Sequence, residues 1–124
     1  METQQIPSFE TTSSIGRKSS SRLLFEQLIN ETIDNVFSSL GIASRQGIYG
    51  YLEKECGLKR NGIADHIMEF SEALEQIFGR AAAILEIQIM KELCRKVPQF
   101  KHRPEETLTF PDYVNALSRF IGTY

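Results

Sequence analysis

An apolar periodicity between residues 65 and 97 constrains the fold of this chain more than any other feature of its sequence. In the first half, apolar residues recur three and four positions apart, so they share one face of a helix. These residues are Ile67, Phe70, Leu74, Ile77 and Phe78. Asp65 is the predicted N-cap of this helix and Gly79 its end, because glycine adopts the positive φ of a helix terminus at little cost. A second, more apolar helix is predicted over residues 80 to 97, and it should be the central helix of the fold. Because the link between the two helices is so short, this helix should pack against the one that ends at Gly79.

The same reasoning predicts three further helices around this pair. The first spans residues 21 to 40, with one of the serines at 19 to 21 as its N-cap. The second spans residues 44 to 56, and a short polar link over residues 59 to 64 follows it. The last begins at Thr109, where an acidic residue three positions later gives the spacing of a capping box.

These elements predict an all-α protein, a single compact bundle of about five helices over residues 21 to 124. A chain of 124 residues is one domain by length and can bury a core without a metal or a disulfide. Residues 1 to 20 are rich in serine and threonine, and their apolar residues show no period, so we expect a disordered tail. The sequence shows neither a secretory signal nor a run of ~20 apolar residues. We therefore expect a cytoplasmic protein that does not enter a membrane.

The residues that carry chemistry do not form a known catalytic or ligand motif. Cys56 and Cys94 are far apart, and with His66 and His102 they do not give the short spacings of a zinc site. His66 is not followed by the lysine of the histidine-phosphotransfer pattern, and activated nucleophiles and glycine-rich phosphate loops are missing. We therefore expect neither an enzyme nor a bound cofactor or metal. Both cysteines should be reduced and partly buried.

A helical wheel of the central helix divides it into an apolar arc and a polar arc. The arc predicted to be buried comprises Ala83, Ile87, Ile89, Met90, Leu93, Cys94 and Val97. Glu86 falls inside this arc, where an unpaired charge would be costly. Glu86 is therefore predicted to be mostly buried and hydrogen-bonded to another helix, either as a structural pair or as a ligand or switch carboxylate with a raised pKa. The candidate partners are Arg22, Tyr49, Tyr51 and Tyr113.

A basic segment follows this helix, at residues 95 to 103. Its candidate contact residues are Arg95, Lys96, Lys101 and Arg103. Basic residues around an aromatic, here Phe100, can bind phosphate and stack on a base. The segment is either a nucleic-acid contact patch or a solvated loop, and the formal net charge of −2 gives the first interpretation no support.

Two glycines, Gly47 and Gly50, lie inside the second predicted helix. Each costs ~1 kcal/mol relative to alanine, so a compensating role is expected. The structural explanation is the close approach of another helix, and the functional one is a groove for a partner.

The residues from Ile48 to Val97, with the first helix before them, resemble the Nitrosopumilus output domain, a small helical family of ammonia-oxidising archaea. The resemblance rests on Ile48-Tyr49, Leu52-Glu53-Lys54, Gly57-Leu58, Phe70, Glu72-Ala73-Leu74, Ile77-Phe78-Gly79, Ala82 and Leu85-Glu86. The chain departs from the family at Ala81, where a second glycine is typical. The resemblance implies an archaeal regulatory or signal-output protein without enzymatic activity, and it supplies no catalytic residue.

From the resemblance and the missing chemical motifs we expect a module that acts through contacts with another protein. A homodimer is one possibility, because short helices with broad apolar faces can leave apolar surface uncovered. The alternative is a helical nucleic-acid-binding regulator that uses the basic segment.

Overall fold

The computed structural model describes residues 19–100 and 108–122, which form five α-helices and two 3₁₀ helices. The α-helices are α1 (Ser20–Ser38), α2 (Ile42–Cys56), α3 (Ile67–Phe78), α4 (Ala82–Lys96) and α5 (Phe110–Ile121). The 3₁₀ helices, Arg60–Asp65 and Gly79–Ala81, precede α3 and α4. The described residues contain no strand, and the predicted all-α bundle is confirmed. Of the predicted tail, residues 1–18 lie outside the described part.

Local capping chemistry sets several of the helix ends, as predicted. The Ser19 hydroxyl accepts the backbone N–H of Arg22 at 3.1 Å at the start of α1. The Thr109 hydroxyl accepts the backbone N–H of Asp112 at 3.2 Å at the start of α5. Gly79 has a φ of 59° and ends α3, where a residue with a Cβ would be strained.

The start of α3 differs from the prediction. Asp65 is the last residue of the 3₁₀ helix Arg60–Asp65, and the N-cap position belongs to His66, whose side chain makes no capping hydrogen bond. The Asp65 carboxylate instead forms an ion pair with Arg22 on α1. The link over residues 59 to 64 was predicted to be polar, but Ile63 within it is 1% exposed and belongs to the core.

The core lies where α1 packs against α2, α4, α5 and the first 3₁₀ helix. Phe70 on α3 is fully buried between two other rings, with its centroid 6.2 Å from that of Phe37 and 6.2 Å from that of Phe110. Burying such a side chain contributes about 1.5–3 kcal/mol, so these three rings tie α1, α3 and α5 together.

The buried face of α4 is rotated from the predicted arc. Its buried residues are Ala82, Leu85, Ile89 and Leu93. Ala83, Ile87 and Cys94, which the wheel placed inside, are exposed. The helix begins only after the turn Gly79–Ala81, and α1, α3 and α5 pack on it from different directions. Its buried arc is therefore set by these neighbours, and hydrophobicity alone did not find it.

Both cysteines have free thiols, but they are exposed, whereas the sequence predicted partial burial. Cys94 Sγ lies 3.0 Å from the hydroxyl of Tyr113 on α5. Burial, followed by this hydrogen bond, raises the pKa of the Tyr113 hydroxyl.

One carboxylate joins three elements on the surface of the bundle. Asp34 Oδ1 on α1 accepts hydrogen bonds from Arg45 on α2 and from Arg60 at the first 3₁₀ helix, both at 2.7 Å, and from the Tyr49 hydroxyl at 3.3 Å. The Arg60 guanidinium also lies 4.8 Å from the centroid of the Tyr49 ring. Burial and the charge of Asp34 raise the pKa of Tyr49 to about 12, so its hydroxyl stays a donor.

Candidate docking groove

The predicted carboxylate, Glu86, lies on α4 and faces α3, where it is half-buried. Its Oε2 accepts a hydrogen bond from the Ser71 hydroxyl at 2.5 Å. A partner on another helix was predicted, but none of the four candidate side chains is this partner. Partial burial raises the pKa of the Glu86 carboxyl; the Ser71 hydrogen bond opposes the shift, and the charge of Glu75 adds to it.

Arg95 and Lys96, the first two residues of the predicted basic patch, already form hydrogen bonds within the fold. Arg95 forms two hydrogen bonds to the Glu92 carboxylate, at 2.8 and 3.0 Å, one turn earlier on α4. Lys96 Nζ donates to the hydroxyl of Thr32 on α1 at 3.2 Å, and Thr32 is fully buried. Lys96 thus satisfies a buried polar group of the core.

Of the aromatic and basic residues in the second half of the basic segment, the structure describes only Phe100. This ring packs against Tyr113 and Phe120 of α5, at centroid distances of 5.4 and 5.2 Å. Packing within the fold therefore engages the aromatic ring that the nucleic-acid interpretation would use to stack on a base. Lys101 and Arg103 lie outside the described residues, so the nucleic-acid patch stays a prediction.

The glycines of α2 have open space around them. A Cβ placed on Gly47 or on Gly50 would meet no atom within 4 Å among the described residues, and neither residue has a positive φ. The predicted structural explanation, close approach of another helix, is therefore wrong. The second explanation, a groove, remains for Gly47, whereas Gly50 does not line the groove between α2 and α3.

Such a groove, with a volume of about 640 Å³, lies between α2 and the end of α3 beside Gly47. Its described lining is uncharged: Leu40, Ser44, Gly47, Ile48, Tyr51, Gln76, Ile77 and Phe78. Apolar side chains form most of its wall, and Leu40 is 40% exposed. The Tyr51 hydroxyl donates to Gln76 Oε1 at 3.4 Å and links α2 to α3 across the surface.

Sequence reasoning found the glycines but missed the opposite wall of the groove. Ile77 was assigned to the apolar face of α3 together with Phe78, and both are only half-buried because α3 ends beside them. Leu40 was placed inside the first helix, but α1 ends at Ser38 and Leu40 stands in the following turn. Exposure of apolar residues at helix ends leaves no periodic signal in a sequence.

Comparisons of the chain with protein-family models, with curated proteins and with solved structures found no match. Across residues 19–100 and 108–122, no three histidine, cysteine or acidic side chains are grouped so that they could hold a metal ion. No helix in the same part of the chain is long and apolar enough to cross a membrane.

Proposed function

We propose that this chain is a non-enzymatic regulatory module of the archaeal signal-output type, which acts by docking an apolar segment of another protein in the α2–α3 groove. The observation that carries the proposal is the bare backbone of α2 at Gly47, beside an open uncharged groove. A glycine inside a helix costs about 1 kcal/mol relative to alanine. Nothing packed against Gly47 in the described fold compensates for this cost, but a partner that approaches the helix backbone closely in the groove would.

The chemistry of the groove favours a protein segment as its occupant. Phosphate groups are held by cationic side chains, and the described lining carries none. A hydrophobic groove between helices is a known binding mode for the apolar face of a partner helix or peptide, and Tyr51 and Gln76 add neutral polar groups to this one. The predicted resemblance to an archaeal output domain agrees with such a role, and a cytoplasmic location belongs to the same proposal.

Site-specific photo-cross-linking tests this proposal. A photoreactive phenylalanine replaces Tyr51 in the groove or, as a control, the exposed Glu55 one turn later on α2. In archaeal lysate we expect a discrete adduct from position 51 and none from position 55. A second copy of the chain in the adduct would identify a homodimer.

The matched substitutions Gly47→Gln and Gly50→Gln supply the decisive control. Both lie on α2 in open space, but Gly47 lines the groove and Gly50 does not. Gly47→Gln should abolish the adduct while the circular dichroism spectrum is unchanged, and Gly50→Gln should keep it. An adduct that survives Gly47→Gln would contradict the proposal.

A further inference from the structure

A second cleft, of about 610 Å³, lies between α3, α4 and the start of α5. All of its charged lining residues in the described fold are acidic: Glu72, Glu75, Glu86 and Asp112. The same cleft is also lined by three apolar residues, here called the apolar strip: Met68, which is 56% exposed, and Phe110 and Pro111, which are buried. It therefore differs in chemistry from the uncharged groove.

The charges of this cleft are not balanced within the described fold. The carboxylates of Glu72, Glu75 and Asp112 form no ion pair with any described residue, and Glu86 is bonded to the neutral Ser71 hydroxyl. Burial is the main cause of the raised pKa of Glu86, and the negative charge of Glu75 adds to it, so the carboxylates repel each other inside the cleft. A bound cation would relieve this repulsion.

The acidic residues are also spread along the cleft. They belong to three helices, and no three of them are grouped closely enough to hold a metal ion. Extended negative charge beside an apolar strip complements an extended ligand that carries several cationic groups and an apolar side chain. Methionine suits such a surface, because its flexible thioether adapts to differently shaped side chains.

We propose that this cleft docks a cationic segment of a partner protein, in which lysine or arginine side chains flank an aliphatic one. The basic side chains lie along Glu72, Glu75 and Asp112, and the aliphatic side chain packs on Met68. This surface is separate from the α2–α3 groove, so the inference does not depend on the proposed function.

Fluorescence anisotropy with the full-length protein and a labelled hexapeptide of alternating lysine and leucine tests this inference. The double variant Glu72→Gln/Glu75→Gln should weaken binding about tenfold, since two partly exposed ion pairs contribute about 0.7 kcal/mol each. The matched control Glu53→Gln/Glu55→Gln removes the same charge from exposed positions of α2 and should change the Kd less than about twofold. Raising the salt concentration should weaken binding to the unaltered protein.

Three outcomes would overturn the inference. Equal weakening by the two double variants would show general attraction to an acidic protein. Equally tight binding of a lysine–serine hexapeptide would remove the role of the apolar strip. Absence of binding at low salt would exclude the site altogether. Gly47→Gln should leave peptide binding unchanged, which separates this cleft from the groove.

Discussion

The Ser71 hydroxyl on α3 donates to the Glu86 carboxylate on α4 at 2.5 Å, at the edge of the acidic cleft. This bond holds a half-buried carboxylate that has no cationic partner among the described residues. The hydroxyl stabilises the ionised form, but burial and the charge of Glu75 oppose it, and the net result is a raised pKa. The ionised carboxylate therefore costs the folded state some stability.

Glu86→Gln should make stability less dependent on pH. The pKa of the Glu86 carboxyl is raised above its ordinary value of 4.5 in the folded protein, so the folded state holds this proton more tightly than the unfolded state does. The stability that this proton contributes is present below about pH 4.5 and is lost as the pH rises through the folded pKa. Glutamine still accepts the Ser71 hydrogen bond but does not titrate. In urea unfolding, the variant should gain stability relative to the unaltered protein between about pH 4.5 and neutral pH. Glu53→Gln, at an exposed position, is the control, and equal pH profiles for Glu86→Gln and the unaltered protein would refute the prediction.

Alanine at either open glycine of α2 should stabilise the fold. Gly47→Ala and Gly50→Ala should each raise the free energy of unfolding by about 0.5–1 kcal/mol, because alanine loses less backbone entropy and its Cβ meets no described atom within 4 Å. Gly57→Ala is the matched contrast. Its φ of 63° is left-handed, so the same substitution should lower the free energy of unfolding by about 1 kcal/mol. Urea titration measures all three, and a destabilised Gly47→Ala would mean that the groove is filled in the free protein.

Asp34→Asn should loosen the junction of α1, α2 and the first 3₁₀ helix. The substitution removes the charge that holds Arg45 and Arg60, and leaves two guanidinium groups side by side. We expect a loss of about 1–2 kcal/mol at low salt, because hydrogen bonds to charged groups are the stronger ones and Asp34 is 22% exposed. The loss should shrink at high salt, where repulsion between the arginines is screened. A loss no larger than that of the exposed Glu55→Gln would contradict this prediction.

Thr109→Ala should destabilise the start of α5. The Thr109 hydroxyl accepts the backbone N–H of Asp112, and its removal leaves that donor unsatisfied. The expected loss is about 1 kcal/mol, and Thr109→Ser should recover most of it because serine caps as well as threonine. Thermal unfolding compares the two variants. If both lose the same stability, the methyl group and not the cap is responsible.

The sequence by itself determined the helices and several of their ends. A helix depends on hydrogen bonds between residues four apart and on caps that reach three residues, as at Ser19 and Thr109, so its causes lie within a short window of sequence. The end of α3 at Gly79 is also set locally, because a positive φ is a property of one residue. These terms are local, and they are readable before the fold is known.

The tertiary structure alone decided which faces meet. Arg22 donates to the Ser118 hydroxyl 96 positions along the chain, and it also pairs with Asp65, which therefore does not cap α3. The choice of Ser71 as the partner of Glu86 has the same origin, because it depends on how α3 and α4 pack against each other and against α5. The α2–α3 groove and the acidic cleft are likewise spaces between helices. Their shape depends on how elements distant in sequence pack, a quantity that no short window of residues contains.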